Sequence, residues 1–376
     1  MKKQVPQVYV SADSHVIEPR DLWLTRLDRR WRERAPHVES RADSDYIVID
    51  GLPPWPLGLE GTMINDKIAD RIKDKGGKRH EEGRPGGWDP QARLADQDLD
   101  HIRAEILYPG MGLGLFGTPD SEYQLACFRA YNDWLAEFCA VNPDRLAGAG
   151  VLAVKGPVEA IAQEARRSAA KGLRSVMMAA EVPERPYSSP QWDPLWETLQ
   201  DLGVPVAIHM GTSSGAQVAD RLKSFGIYGK HVVDNKIGKG IRLVGELIFG
   251  AIPQRFPGLR FVIVEGGIGW IASLLRFMDH WWKDHRRWME PRVDEPPSFY
   301  FARNFWATFE DDRPGILTRE LLNIDHLMWG SDYPHTEGTF PNSREQIGRD
   351  FKGVAPVQVR KMVSDNAARL YGFPAQ

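Results

Sequence analysis

The chain has 376 residues, with 48 lysines and arginines against 51 acids and a formal net charge of −3. So even a balance announces no polyanion-binding face, and nucleic acid is not expected as the main partner. No uncharged apolar run is long enough to span a bilayer, and Met1-Lys2-Lys3-Gln4-Val5-Pro6 lacks the apolar core of a secretion signal, so no membrane association is expected.

In chain order, Gln7–Ala12 reads as a first strand, β-branched and apolar, ending at Asp13-Ser14-His15. Glu18-Pro19 then opens a turn and a short helix carrying Trp23 and Trp31. From Arg34 to Trp88 the periodicity fails. This stretch holds a hairpin around Tyr46–Asp50, the proline-rich Leu52-Pro53-Pro54-Trp55-Pro56 and a charged run from Lys67 to Arg84. Residues 34–88 are expected to be an insertion lying over the carboxyl end of the first strand and covering the mouth of the fold. A plain solvated loop is the simpler account of its glycine-rich, charged later half.

Alternation then resumes. A helix over Gln91–His101 precedes a strand, Ala104–Pro109, and a long helix, Asp120–Val141, with Leu125, Phe128, Trp134, Leu135 and Phe138 at helical spacing. The two cysteines, Cys127 and Cys139, lie on that helix too far apart to bridge, so a reducing cytoplasm is expected. Strand Leu146–Ala153, helix Val158–Lys171 closed by Gly172, and strand Leu173–Met178 follow. Helix Asp193–Leu202 stops at Gly203 before strand Pro205–His209, and a loop with Gly211-Thr212-Ser213-Ser214-Gly215 leads to a helix near Arg242–Phe249. Arg260–Glu265 is a strand closed by Gly266-Gly267, with a helix from Trp270 onward. Phe305–Phe309 and Ile324–Trp329 complete the strands, and a terminal helix runs from about Val357 to Tyr371.

Eight strand candidates separated mostly by helices demand right-handed crossovers and a parallel sheet. Eight such units favour closure: an α/β chain forming one (β/α)8 TIM barrel over residues 1–376, with the insertion after its first strand. No Gly-x-Gly-x-x-Gly follows that strand, which weakens a dinucleotide fold.

In such a barrel the carboxyl ends of the strands converge on one mouth. They offer Asp13 and His15, then His209, then Glu265, and finally Asp332 and His335 within Gly330-Ser331-Asp332-Tyr333-Pro334-His335. Proline ends sheet pairing, so Asp332 stands where the last strand opens into a loop; alternatively it only caps the next turn. Asp13 and His15, two apart on a strand, point to the same side. A single histidine at a strand end is more often structural than a ligand. Acids and imidazoles on four strand ends are another matter, because burying unpaired acids costs several kcal/mol. A divalent cation would satisfy Asp13, His15, His209 and Asp332 together, and with no thiolate in the set it would be Zn²⁺, Mn²⁺ or Fe²⁺.

In their order, Asp13-Ser14-His15, His209 and Gly330-Ser331-Asp332-Tyr333-Pro334-His335 resemble the amidohydrolase superfamily. The amidohydrolase-2 group is the nearest branch, with its aminocarboxymuconate-semialdehyde and resorcylate decarboxylases. The resemblance covers most of the chain outside 34–88 and implies a metal-bearing (β/α)8 barrel and a homodimer. It implies that Asp13 and His15 take the first-strand His-x-His position, His209 the fifth-strand ligand, and Asp332 the eighth-strand aspartate that binds metal and moves protons. Two departures stand out. The strand Leu173–Met178 has no lysine, so the carbamylated bridge of binuclear hydrolases is missing and one ion is expected. The sixth strand ends in Glu265 where decarboxylases of the group carry histidine.

The reading that follows is a metal-dependent hydrolase or decarboxylase of a small, cyclic carboxylate or carbonyl substrate. Asp332 would be the general acid–base, with His335 and Glu265 as further catalytic candidates and Zn²⁺ or Mn²⁺ as cofactor. The alternative is a non-heme iron oxygenase, with one or two irons and Glu265 as an extra ligand. A third reading keeps the barrel as a binding protein without chemistry, which so many ionisable strand-end residues argue against. Trp55, Trp281, Trp282 and Trp288 are expected to line the mouth or to cover an oligomer face.

Overall fold

The computed structural model describes residues 8–57, 79–214, 233–335 and 337–375. Its first strand, β1 (Tyr9–His15), is followed by three short strands, β2 (His37–Ser40), β3 (Asp45–Val48) and β4 (Trp55–Pro56). Then come β5 (Ile102–Tyr108), β6 (Leu146–Val151), β7 (Ser175–Ala179), β8 (Val206–His209), β9 (Phe261–Val264), β10 (Phe305–Phe309) and β11 (Leu327–Trp329). Eight of these pair in parallel in the order β1-β5-β6-β7-β8-β9-β10-β11. At the seam the Asp332 amide donates to the Asp13 carbonyl (2.9 Å) and the His15 amide to the Tyr333 carbonyl (2.6 Å). The result is the nearly closed (β/α)8 barrel that the alternation of elements predicts.

Strands covered by helices outside and packed side chains inside are apolar on both faces. Every residue of β8 and β9 is accordingly buried. The intervening helices start and stop where local chemistry says. Asp89 accepts from the Gln91 and Ala92 amides to cap Pro90–Leu99, and Asp120 accepts from Tyr123 to cap Ser121–Ala140. Gly203, at φ 61°, ends Asp193–Leu202 in the left-handed conformation that glycine adopts without strain. None of the helices among the described residues is long and apolar enough to cross a membrane. Cys127 and Cys139 are buried and unbridged.

Three expectations need correction. The last strand is shorter than Ile324–Trp329, because the Asn323 side chain accepts from the Asp325 amide and turns Ile324–His326 into a 3₁₀ segment. The first strand is longer and takes in Asp13 and His15, with an irregularity in register between Ser11 and Ser14. The terminal helix is three pieces, Pro356–Arg360, a π segment Lys361–Asp365 and Asn366–Tyr371.

In the insertion, β2, β3 and β4 form an antiparallel sheet. Trp55 is buried beside Ile49 and Gly114, so it packs the sheet onto the turn after β5. Buried His80 pins the far end of the insertion, its amide donating to Asp45 and its Nε2 to the Glu18 carbonyl, both at 2.9 Å. Most of the charged run from Lys67 lies in 58–78, outside the described residues.

Candidate metal centre

Three strand ends, those of β1, β8 and β11, bring four polar side chains to one point. His15 Nε2 is 3.1 Å from His209 Nε2, 3.7 Å from Asp13 Oδ1 and 3.4 Å from Asp332 Oδ1, and His209 Nε2 is 3.8 Å from Asp13 Oδ1. All four residues are fully buried. Asp13, His15 and His209 each offer a ligand atom within 4.8 Å of the others, and so do His15, Asp332 and His335.

The arrangement is held by backbone. His15 Nδ1 donates to the Pro109 carbonyl (2.8 Å) and His209 Nδ1 to the Met210 carbonyl (2.9 Å). A neutral imidazole that donates through Nδ1 has only a lone pair on Nε2. Burial lowers the proton affinity of both rings, that of His15 well below the ordinary range, with neighbouring imidazoles adding to the effect at His15. Two lone pairs therefore face each other at 3.1 Å, which is repulsive unless a cation lies between them. The acids make the same demand. Asp13 Oδ1 and Asp332 Oδ2 are buried without a hydrogen bond among the described residues, and Asp332 Oδ1 faces only the His15 and His335 rings. Burial, then repulsion from neighbouring carboxylates, pushes both acids well above the usual carboxylate range. Buried polar groups left this way are costly, and two imidazoles with two carboxylates are the donor set of a divalent first-row ion. The residues present fit a divalent cation.

Around this point the chain is visibly constrained. Asp332 and Glu265 have φ of 53° and 59°, a left-handed backbone that side-chain-bearing residues rarely adopt and that clusters at functional sites. Gly330 is needed at the seam, since a Cβ there would lie 2.4 Å from Asp13 Cβ. Thr308 donates to Asp13 Oδ2 (3.3 Å) and accepts from the Glu265 amide (2.8 Å). Arg93, itself buried and paired with Glu105 (2.5 Å), donates to the His15 carbonyl at 2.7 Å.

Of the remaining candidates, His335 stacks on His15 with centroids 4.0 Å apart, and its Nδ1 lies 2.8 Å from Asp332 Oδ1. Glu265 stands at the edge, its Oε2 3.5 Å from His209 Nδ1 and its Oε1 2.6 Å from Lys236 Nζ. Burial alone would raise its proton affinity, but the Lys236 ammonium outweighs that and holds it below the ordinary carboxylate range. The structure thus gathers all six residues singled out from the sequence. Two others were missed: Glu310, which with Glu265 and Asp332 forms a third group within 4.8 Å, and Lys236. Glu310 follows β10 by one residue, just as Glu265 follows β9, and that position was its available signal. Lys236 comes from a connecting segment and had none.

Comparison with known proteins agrees with this architecture. The family model described as Amidohydrolase, Amidohydro_2, matches residues 38–373. The chain is 27% identical over 291 residues to 2-amino-3-carboxymuconate-6-semialdehyde decarboxylase of Dictyostelium discoideum, covering 76% of this chain and 77% of that protein. It is 27% identical over 286 residues to gamma-resorcylate decarboxylase of Rhodococcus jostii, covering 66% of this chain and 80% of that one. Among solved structures, an amidohydrolase of Mycobacterium avium subsp. paratuberculosis superposes with a TM-score of 0.77 at 21% identity, over 97% of this chain and 99% of the other. A 5-carboxyvanillate decarboxylase of Novosphingobium aromaticivorans with bound manganese superposes with a TM-score of 0.69 at 17% identity, over 97% of both chains. With the family model spanning most of its length, the chain belongs to the Amidohydro_2 amidohydrolase family.

Proposed function

We propose that the protein is a metal-dependent decarboxylase of a small aromatic or similarly conjugated carboxylate that carries an oxygen next to the carboxyl-bearing carbon. The observation that carries this reading is the meeting of Asp13, His15, His209 and Asp332, with facing lone pairs and unsatisfied carboxylate oxygens, at the mouth of the barrel. The named decarboxylases among the relatives support the choice of reaction over hydrolysis.

Asp13, His15, His209 and Asp332 would hold the ion, which when bound supplies positive charge for the substrate's oxygens and for the negative charge left behind as CO₂ departs. The chain's own groups move the proton. Asp332 and His335, 2.8 Å apart, form a two-membered relay. As the carbon–carboxylate bond breaks, its electron pair stays on the ring carbon, and a proton from this relay forms the new C–H bond. His335, less enclosed than Asp332, is the member through which the relay regains its proton. Thr308 and Arg93 act through others, the first fixing Asp13 and the second the backbone of His15.

The oxygenase alternative needs Glu265 turned to the ion, and Glu265 is instead engaged by Lys236. The deciding experiment is elemental analysis of protein purified without added metal or chelator, followed by assay of the Mn²⁺ and Zn²⁺ forms. A panel of hydroxybenzoates and semialdehyde carboxylates would be followed for CO₂ release. One ion per chain and CO₂ formed in step with substrate loss are expected. Oxygen uptake, or water-dependent cleavage of esters and amides without CO₂, would overturn the reading.

A further inference from the structure

We propose that Glu265, Glu310 and Asp332 form a second position for a hard divalent cation, and that the Lys236 ammonium, paired with Glu265 at its edge, stands in for that cation's charge, so that this lysine keeps the centre at one ion. The inference rests on Asp13, His15, His209 and Asp332 being the cradle of the first ion.

The three acids each offer an oxygen within 4.8 Å of the other two. An acidic cluster alone would mean little, but Asp332 adds an independent fact. It is completely buried, and its Oδ2 has neither a hydrogen bond nor an ion pair among the described residues. Oδ1 is the atom that approaches His15 and His335, which leaves Oδ2, equally buried, free to serve a neighbouring position. A carboxylate so placed can bridge two cations, as in two-metal sites where the ions stand roughly 3.5–4 Å apart.

Positive charge already stands at the edge of the second position. Lys236 Nζ is 2.6 Å from Glu265 Oε1 and 3.0 Å from Glu337 Oε1. Four carboxylates, Asp13, Glu265, Glu310 and Asp332, converge here with neutral imidazoles. With all four ionised, one divalent ion and one ammonium reduce their charge of −4 to −1, and Glu337 draws on the same ammonium, whereas two divalent ions would cancel the four. The ammonium is therefore a weaker substitute for an ion, tethered to the chain and supplied by the segment Val233–Gly238. The donors at this second position are all carboxylate oxygens, which suits Mn²⁺ or Mg²⁺ better than softer ions.

Removal of the lysine should open the position. Wild type, Lys236→Gln, Lys236→Met and the double variant Lys236→Gln/Glu310→Gln would be loaded with Mn²⁺, passed through gel filtration and analysed for metal. Titration followed by electron paramagnetic resonance would accompany this. Expected are one Mn²⁺ per chain in wild type and two in Lys236→Gln, with a spin-coupled spectrum absent from wild type. The second ion should bind at least about a hundredfold more tightly than any second ion in wild type. The double variant should return to one. Lys236→Met, of similar length and without charge, decides the matter if the glutamine variant does not fold. One ion per chain in both lysine variants, or two in wild type or in the double variant, would overturn the proposal. Zero ions in every protein would instead remove the first centre, a failure that the count distinguishes.

Discussion

Thr308 shows how a residue of ordinary type can govern a metal centre. Its hydroxyl spans Asp13 Oδ2 and the Glu265 amide, fixing one rotamer of Asp13 and one strained backbone at once. Thr308→Val keeps the shape and removes both bonds, so ion affinity is expected to fall about 10–100-fold, the usual cost of losing a partner behind a ligand. Metal titration with a fluorescent competitor measures it, and unchanged affinity would show that Asp13 is held by packing alone. Asp332 is the stricter test of chemistry. Asp332→Asn should leave a folded protein with turnover reduced at least about a hundredfold, since the relay to His335 loses its acid. Activity near wild type would transfer the proton step to another group. The residues legible in the sequence were those whose position at a strand end converts directly into geometry, namely Asp13, His15, His209, Glu265 and Asp332. Thr308 was not legible because its part depends on how β10 sits beside β9 and across from β1. Lys236 was not legible because a loop brings it back.

Asp100 is a buried ionisable group that joins two of the helices enclosing the barrel. It ends the helix Pro90–Leu99 and accepts from the amide (3.0 Å) and hydroxyl of Ser343, the first residue of the helix Ser343–Asp350. Burial pushes its carboxyl up to about 6, against the pull of the Ser343 hydrogen bonds. A carboxyl raised above its unfolded value binds its proton more readily in the folded chain. Its contribution to stability is thus complete below the unfolded value of 3.8 and disappears as pH rises through about 6. Between pH 5 and pH 8 wild type should lose about 1 kcal/mol that Asp100→Asn does not lose. Parallel thermal melts of the two proteins across that range would show it as a steeper decline for wild type, and superimposable slopes would refute it. Element boundaries followed the same division between local and distant causes. The helices expected over Gln91–His101 and Asp120–Val141 stand at Pro90–Leu99 and Ser121–Ala140, the second readable from its apolar spacing, and an aspartate caps the start of each. The 3₁₀ segment before β11 and the π segment Lys361–Asp365 were not readable. One turns on a single Asn323 side chain, and the other shares the apolar spacing of the helix around it.

At the scale of the whole molecule, the helix Ile271–His285 has two apolar faces where a barrel needs one. Ile271, Leu275, Met278 and Trp282 are buried against the barrel, and the Trp282 indole donates to the Val293 carbonyl at 2.8 Å. On the other side Phe277, Trp281 and Trp288 are 60%, 47% and 76% exposed, and their rings run in a chain through His285. Trp281 and Trp282, adjacent in sequence, therefore belong to different faces, and only the first is available to a partner. Exposed aromatic rows of this kind are costly in water and are typical of interface cores. We propose that this face meets its own copy across a two-fold axis, where each Trp281 would lie near the partner's corresponding surface, as closed dimers require. Trp281→Ser/Trp288→Ser should then sediment as a monomer where wild type sediments as a dimer, with far-ultraviolet circular dichroism and metal content unchanged because neither side chain supports the barrel. A monomeric wild type at micromolar concentration would remove the proposal. A dimer that survives both substitutions would move the interface to another face.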